Sequence, residues 1–362
     1  MNGTVQAMSS AGIHDGQPRE VVVVFGGRSA EHDVSCVSAA YVWSAAVAAG
    51  HTVRGLGIDR DGAWRAVTAT DVTTAGAALA VDGPPVTVNE LTSCERDSAV
   101  VIPVLHGPFG EDGTIQGLCE MLDLAYTGAG VLGSAVCMDK AMAKTVLAAS
   151  KIPQTPHVAV TAQTPTNQLH ATAEQLGFPL FVKPANMGSS IGVRKVDDEH
   201  SLLEAVAHAL LFDETALVER AVRGREIEIA VLGRENTLIS EPGEIHAAAE
   251  FYDYNDKYVD GRSSTTVPAP LDTDTHQRLR ALAYEVTGLL RCREMARCDV
   301  FVTEERDILV NEVNTIPGFT PISMYPRMLA ASGVTPTDTI NRLIADAVDR
   351  RHQRYQRPSA PI

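Results

Sequence analysis

The sequence predicts an α/β fold, with a doubly wound parallel-sheet domain at the N-terminus and α+β architecture over the C-terminal two thirds. Three observations carry this. The runs VVVVF at 21–25 and AVVIPVL at 99–105 are short, apolar throughout and closed by Gly26-Gly27 and His106-Gly107, as strands buried on both faces should be. Helical stretches such as 114–122 alternate with them, which is the pattern of a parallel sheet. From Met138 the texture changes to an alanine-rich helix, further strands and one distinct hairpin.

Taken in order, residues 1–19 are polar and Gly/Ser-containing, and read as a disordered lead-in to a domain over 20–138. Ser29 is a candidate N-cap for the helix after the first strand, with Glu31 and Asp33 in its first turn, where acidic side chains complement the helix dipole. Glu31 and His106 then fall beyond the carboxyl ends of strands, where open α/β sheets bind ligands. The plain alternatives are a dipole partner for Glu31 and a structural histidine. Asp139-Lys140 opens a helix that Ile152-Pro153 ends, and a second unit is expected over 139–235. Within it a strand at 179–182 leads into Lys183 and the loop PANMGSSIGV at 184–193. Its glycines and serines offer N–H and hydroxyl groups to a phosphate, with Lys183 as a point charge, although an ordinary hairpin turn has the same composition. Neither the GxxxxGK[ST] nor the GxGxxG pattern is present. The third unit, 236–351, contains a polar, tyrosine-rich segment at 250–266 that is too long for a simple connection and is expected to act as a lid. A helix from 338 to about 351 closes it, and the basic tail 352–362 suits a helix C-terminus. Residues 59–97 match no motif.

The hairpin is RCDVFVT at 297–303 and ILVNEVN at 308–314, around Glu304-Glu305-Arg306-Asp307. Pairing Thr303 with Ile308 sets Asp299 opposite Glu312 and Arg297 opposite Asn314, all on one face. Cys298, Val300, Val302, Leu309 and Val313 take the other. Two carboxylates facing each other across a ladder repel unless a cation lies between them, and oxygen ligands of this kind suit Mg²⁺. A solvated polar face is the alternative.

Composition narrows the classes further. With 362 residues and 45% hydrophobic content the chain can build two or three cored domains. A formal charge of -15 and a pI near 5.1 argue against nonspecific nucleic-acid binding, so any phosphate site must be built locally. Six cysteines without CxxC spacing read as reduced thiols of a cytoplasmic protein. No charged-then-apolar leader and no uninterrupted apolar run of about 18 residues points to export or membrane insertion.

Seven segments in fixed order, GGRSAEHDVS (26–35), HGPFGEDGTIQG (106–117), YTG (126–128), MDK (138–140), NMGSSIG (186–192), FYDYNDKY (251–258) and NEVNTIPGFT (311–320), resemble the ATP-grasp superfamily of carboxylate–amine ligases. Within it they resemble the D-alanine–D-alanine ligase family. The resemblance implies an ATP-grasp fold and a reaction in which ATP phosphorylates the carboxylate of one D-alanine and the amine of a second attacks the acyl phosphate. It implies two Mg²⁺ (or Mn²⁺) ions held by Asp299, Glu312 and Asn314. Lys140 and Lys183 would touch the α- and β-phosphates and Lys257 the γ-phosphate, with Ser189 and Ser190 in the phosphate loop. Adenine would lie along the strand 216–222 beside Glu219, with Glu226 on the ribose. Arg297 and the Gly318 N–H would stabilise the tetrahedral oxyanion, unless Arg297 only bridges to Asp299 or Glu312. Glu31 would anchor the first substrate's ammonium, directly or through Ser189 and Tyr258. His106 and Ser323 would serve the second substrate. Tyr258 after Lys257 is the family pattern for D-alanine as acceptor. D-alanyl-D-serine or D-alanyl-D-lactate ligation, and a non-catalytic nucleotide-binding regulator, stay as alternatives. A cytoplasmic homodimer acting in peptidoglycan precursor synthesis is the further implication.

Overall fold

A computed structural model describes residues 17–68, 77–246 and 264–356. Lys257, Tyr258, most of segment 250–266 and most of the lead-in and tail lie outside the described residues.

The first unit runs β1 (Glu20–Gly26), α1 (His32–Ala48), β2 (Thr52–Ile58), β3 (Trp64–Val67), β4 (Pro85–Val86), α2 (Asn89–Thr92), β5 (Ala99–Pro103), α3 (Thr114–Met121) and β6 (Ala125–Tyr126). Its sheet has the order β4-β3-β2-β1-β5-β6. The four strands β2, β1, β5 and β6 are parallel. Val21, Val23 and Phe25 pack with Cys36, Ala39 and Trp43 of α1, whereas Val22 and Val24 pack with Leu91, Ile115 and Cys119. Both faces of β1 are therefore dry, which is why its sequence is an unbroken apolar run. Strands β3 and β4 depart from the parallel expectation and are antiparallel. For β3 the cause is a tight turn within the stretch 59–97 that matches no motif. Asp59 Oδ1 accepts from the Asp61 and Ala63 N–H groups and Gly62 takes φ +89°, reversing the chain within four residues. Ser29 is not the N-cap either: α1 starts at His32, and the Ser29 hydroxyl accepts from the Glu31 N–H one turn earlier.

Helices α4 (Val131–Met138) and α5 (Lys140–Ala149) lead into the second unit, β7 (His157–Thr161), α6 (Thr166–Leu176), β8 (Leu180–Pro184), β9 (Arg194–Val196), α7 (Glu199–Ala209) and β10 (Thr215–Arg220). As expected, Asp139 caps α5, accepting from the Met142 N–H at 2.9 Å. The antiparallel sheet β7-β10-β8-β9 carries α6 and α7 on one face.

The third unit comprises β11 (Arg225–Leu232), β12 (Leu238–Ile239), β13 (Gly243–His246), β14 (Ser264–Thr266), α8 (Thr273–Leu289), β15 (Met295–Val302), β16 (Ile308–Asn314), α9 (Met324–Ala331) and α10 (Pro336–Tyr355). Its sheet order is β14-β13-β11-β15-β16, with β12 beside β11. Because β11 pairs with β15 over eight residues, the break between the second and third sheets falls at 221–224, not at 235. Helix α10 packs Ile340, Leu343 and Ile344 into the core shared with α1, so the last helix completes the first unit.

In the β15–β16 hairpin Val302, not Thr303, pairs with Ile308, and a register shift follows Asp299. The bulge admits Asn311 as an extra residue and restores the register, so Asp299 faces Glu312 and Arg297 faces Asn314. Ile308 and Val310 consequently take the buried positions, and Leu309 is only half-buried.

Candidate active site

A cleft lies between the second and third sheets, closed at one end by the loop after β8. Its floor is a row of carboxylates, one from each of three adjacent strands: Glu228 of β11 pairs with Asp299 of β15, which pairs with Glu312 of β16. Such a row is self-repelling, and the side chains around it are cationic. Arg297 grips Asp299 with two bonds, Nε to Oδ1 at 2.8 Å and Nη2 to Oδ2 at 2.7 Å, and its Nε lies 3.2 Å from Glu228 Oε2. Asn314 Nδ2 donates to Asp299 Oδ2 at 2.9 Å, and Lys140 Nζ lies 3.5 Å from Glu312 Oε2. Arg297 thus bridges Asp299, as its plain reading had it, and it reaches Glu228 as well. Glu228 was legible only as an alternation, since REIEIAVL at 225–232 sets glutamates between buried isoleucines.

The loop after β8 both turns β8 into β9 and reaches across to the first unit. Ser189 and Ser190 take left-handed φ values of 47° and 59°, and the Ser189 hydroxyl donates to Glu31 Oε1. A Cβ on Gly188 would stand 2.8 Å from Glu31 Oε2, so any larger residue here would have to displace the Glu31 carboxylate. Lys140 Nζ donates to Met187 O at 2.7 Å and ties the same loop to α5. Lys183 sits beneath, 2.8 Å from Glu219 Oε2 and donating to Asn311 Oδ1 at 3.3 Å. Burial opposes its charge, but Glu219 and Glu312 more than offset this and its pKa ends above the ordinary lysine value. Glu219 and Glu226 line the cleft beside Phe181, Val222 and Phe301, which form its apolar end. Asn311 and those apolar walls were not singled out from sequence, because the bulge that turns Asn311 inward has no local signature.

His106 is buried at 4% exposure and both ring nitrogens are used. Nδ1 donates to the Ile316 carbonyl at 3.0 Å, since a carbonyl only accepts. Nε2 then accepts from Ser38, whose oxygen receives the Phe319 N–H. Burial holds the imidazole below its usual pKa, consistent with a neutral ring. The histidine therefore braces the 316–319 loop from behind, and its nitrogens do not face the cleft as ligands. Gly318 lies on that loop with the Ser323 hydroxyl close by, and Ser323 accepts from the Thr320 N–H at 3.1 Å.

Glu111, hidden from sequence reading within a turn-like GPFGEDG stretch, clamps the same loop. Its carboxylate accepts from Gly107 N at 2.8 Å and Ile316 N at 2.9 Å. Burial, then the charge of Glu31, pushes its pKa up from 4.5 to about 7. Between those values the folded protein keeps a proton that the unfolded chain has shed, so this group's contribution to stability falls as pH rises through the window. The melting temperature of Glu111→Gln minus that of the wild type is therefore expected to grow from about pH 5 to about pH 8. A flat difference would mean that Glu111 does not titrate there.

The donor set fits a hard divalent ion in type, with two carboxylates and an amide oxygen on one face. Among the described residues no three His, Cys, Asp or Glu side chains gather closely enough to hold a metal by themselves. An ion at Asp299 and Glu312 would need further oxygens, from Asn314 and from a bound ligand.

A doubly wound unit joined to two antiparallel sheets that face each other across a lysine-lined cleft defines an ATP-grasp fold. Residues 20–129 match the family description D-ala D-ala ligase N-terminus and residues 146–345 match D-ala D-ala ligase C-terminus. The chain belongs to the D-ala D-ala ligase family. It is 42% identical to the D-alanine--D-alanine ligase of Solibacter usitatus, over 92% of this chain and 97% of that one. It is 41% identical to D-alanine--D-alanine ligase A of Chromobacterium violaceum, over 91% and 95%. Among solved structures, the D-alanine-D-alanine ligase from Coxiella burnetii superposes with a TM-score of 0.80 at 33% identity, covering 93% of this chain and 97% of that one. The VanG D-Ala:D-Ser ligase from Enterococcus faecalis superposes with a TM-score of 0.79 at 31% identity, covering 91% and 100%. Among the described residues no helix is long and apolar enough to cross a membrane.

Proposed function

We propose that this chain ligates two D-alanine molecules to D-alanyl-D-alanine, driven by ATP, through a D-alanyl phosphate. The reading is supported by the adjacency of Asp299 and Glu312 across the β15–β16 ladder, with Arg297 and Lys140 beside them, in a chain of the D-ala D-ala ligase family. ATP lies in the cleft, adenine at the Phe181 and Phe301 end with Glu219 and Glu226, and its phosphates towards Lys140, Lys183, Ser189 and Ser190. Asp299, Glu312 and Asn314 would hold two Mg²⁺ or Mn²⁺ ions, whose chemistry is to neutralise the triphosphate's charge. Glu31 and Ser189 receive the ammonium of the first D-alanine, together with Tyr258. Lys257 meets the γ-phosphate, and the segment 250–266 excludes water from the acyl phosphate. The second amine attacks, and Arg297 with the Gly318 N–H takes up the oxyanion. Ser323 binds the second carboxylate, and His106 acts indirectly, by fixing the Gly318 loop. The setting is cytoplasmic peptidoglycan precursor synthesis by a homodimer.

With ATP and Mg²⁺ present, phosphate release is expected to rise on addition of D-alanine, with D-alanyl-D-alanine as product. If release is indifferent to D-alanine, the ligase reading fails and a nucleotide-binding regulator takes its place. A larger yield with D-serine or D-lactate as acceptor would reassign the second substrate.

A further inference from the structure

Beside the proposed nucleotide site lies a buried titratable group that the mechanism does not use. Lys144 lies one turn beyond Lys140 on α5, is 2% exposed, and does not line the cleft. Its Nζ stands 3.1 Å from Glu219 Oε1, a contact of charge, because no described acceptor meets it in hydrogen-bond geometry. The other oxygen of the same carboxylate is held by Lys183 at 2.8 Å. Two buried lysines therefore share one buried glutamate, with Glu312 a further anion near both. Burial holds the Lys144 pKa below the ordinary lysine value, and the charge of Glu219 opposes that shift.

This sharing has a use if Lys183 is to move. Lys183 lines the cleft and must leave Glu219 to reach a phosphate; Lys144 cannot follow. Without Lys144, a carboxylate 4% exposed would then be stranded with no counter-charge. The other charged or titratable groups facing it do not fill that role. His157, opposite Glu219 across β7 and β10, is held below its usual pKa chiefly by burial, and its Nδ1 is engaged by the Thr155 carbonyl. Glu312, the remaining charged neighbour of both lysines, is itself an anion.

We propose that Lys144 is a positioning residue of the nucleotide site, a standing counter-charge that keeps the Glu219 carboxylate anionic and in place once Lys183 leaves it for the nucleotide's phosphates. The proposal rests on the reading of the cleft as an ATP site. It assigns the two lysines different tasks: one is exchanged between protein and ligand, the other never leaves the protein.

Isothermal titration of Mg²⁺-ADP near pH 8, in two buffers of different ionisation enthalpy, separates a charge role from a packing role. Wild type should bind with little net proton exchange. Lys144→Met should bind about tenfold more weakly and take up most of a proton, roughly one per site, as Glu219 protonates when Lys183 departs. Lys144→Arg should behave as wild type. In the Glu219→Gln background, Lys144→Met should add neither penalty nor proton uptake, and that pair serves if the single variant folds poorly. Unchanged binding by Lys144→Met, or weaker binding without proton uptake, overturns the proposal. Failure of the wild type to bind ADP overturns the nucleotide site itself, and the role of Lys144 with it.

Discussion

Replacing Arg297 by alanine is expected to lower turnover at least a hundredfold, since one oxyanion donor in a water-excluded site contributes about 2.7 to 4 kcal/mol. The structure adds a second expectation. Arg297 is the two-pronged partner of Asp299 and also touches Glu228, and both carboxylates are largely buried. Alanine leaves them facing each other across β11 and β15, so the melting temperature should fall, and added Mg²⁺ should restore part of it by replacing the lost charge. Lysine at 297 keeps the charge but not the fork, and should recover stability better than turnover. The measurement is kcat with saturating ATP and D-alanine beside the affinity for ADP. Turnover within about tenfold of wild type would remove Arg297 from the chemistry and leave it as a strut.

In this structure the cations of the cleft are stored on its own anions: Arg297 on Asp299, Lys140 on Glu312, Lys183 on Glu219. A bound nucleotide with its ions would exchange partners within that set, so the protein need not bury bare charge at any stage. Glu219 is distinguished by its additional, inaccessible partner.

How much of this was legible depended on whether a signal was local. The Val21–Phe25 run, the Asp139 cap and the alternation of the 297–314 hairpin are properties of neighbouring residues, and each yielded its element. The hairpin pairing survived two compensating shifts: Thr303 was counted into the ladder, and the bulge at Asn311 returned the missing residue. Asp299 and Glu312 were thus matched correctly although the hydrophobic face was misassigned at Leu309. The domain break at 235 failed because nothing within 225–232 announces which sheet will take the strand as a partner. Lys144 and Glu111 were missed for the same reason. An alanine-rich helix normally puts its lysines in water and a GPFGEDG stretch normally makes a turn, and only contacts 75 and 205 residues away in sequence, to Glu219 and Ile316, bury them.

Glu312→Gln should separate activity from stability. Glutamine keeps the shape of the side chain and removes its charge from the row Glu228, Asp299, Glu312. With one of two carboxylate ligands gone, divalent ions should no longer neutralise the phosphates. If that neutralisation supplies about 4 kcal/mol, turnover falls about a thousandfold. Without metal, however, removing one of three adjacent like charges relieves repulsion along the ladder. Against this stand the lost 3.5 Å contact to Lys140, which keeps its bond to the Met187 carbonyl, and the lost support of the Glu312 charge for the buried Lys183. The metal-free melting temperature should therefore change little, while the increase that Mg²⁺-ADP gives the wild type disappears. A purely structural Glu312 would show the reverse, a less stable protein that still turns over. Phosphate release within about tenfold of wild type, or a full Mg²⁺-ADP shift in the variant, would end the assignment of this hairpin as the metal-bearing ladder.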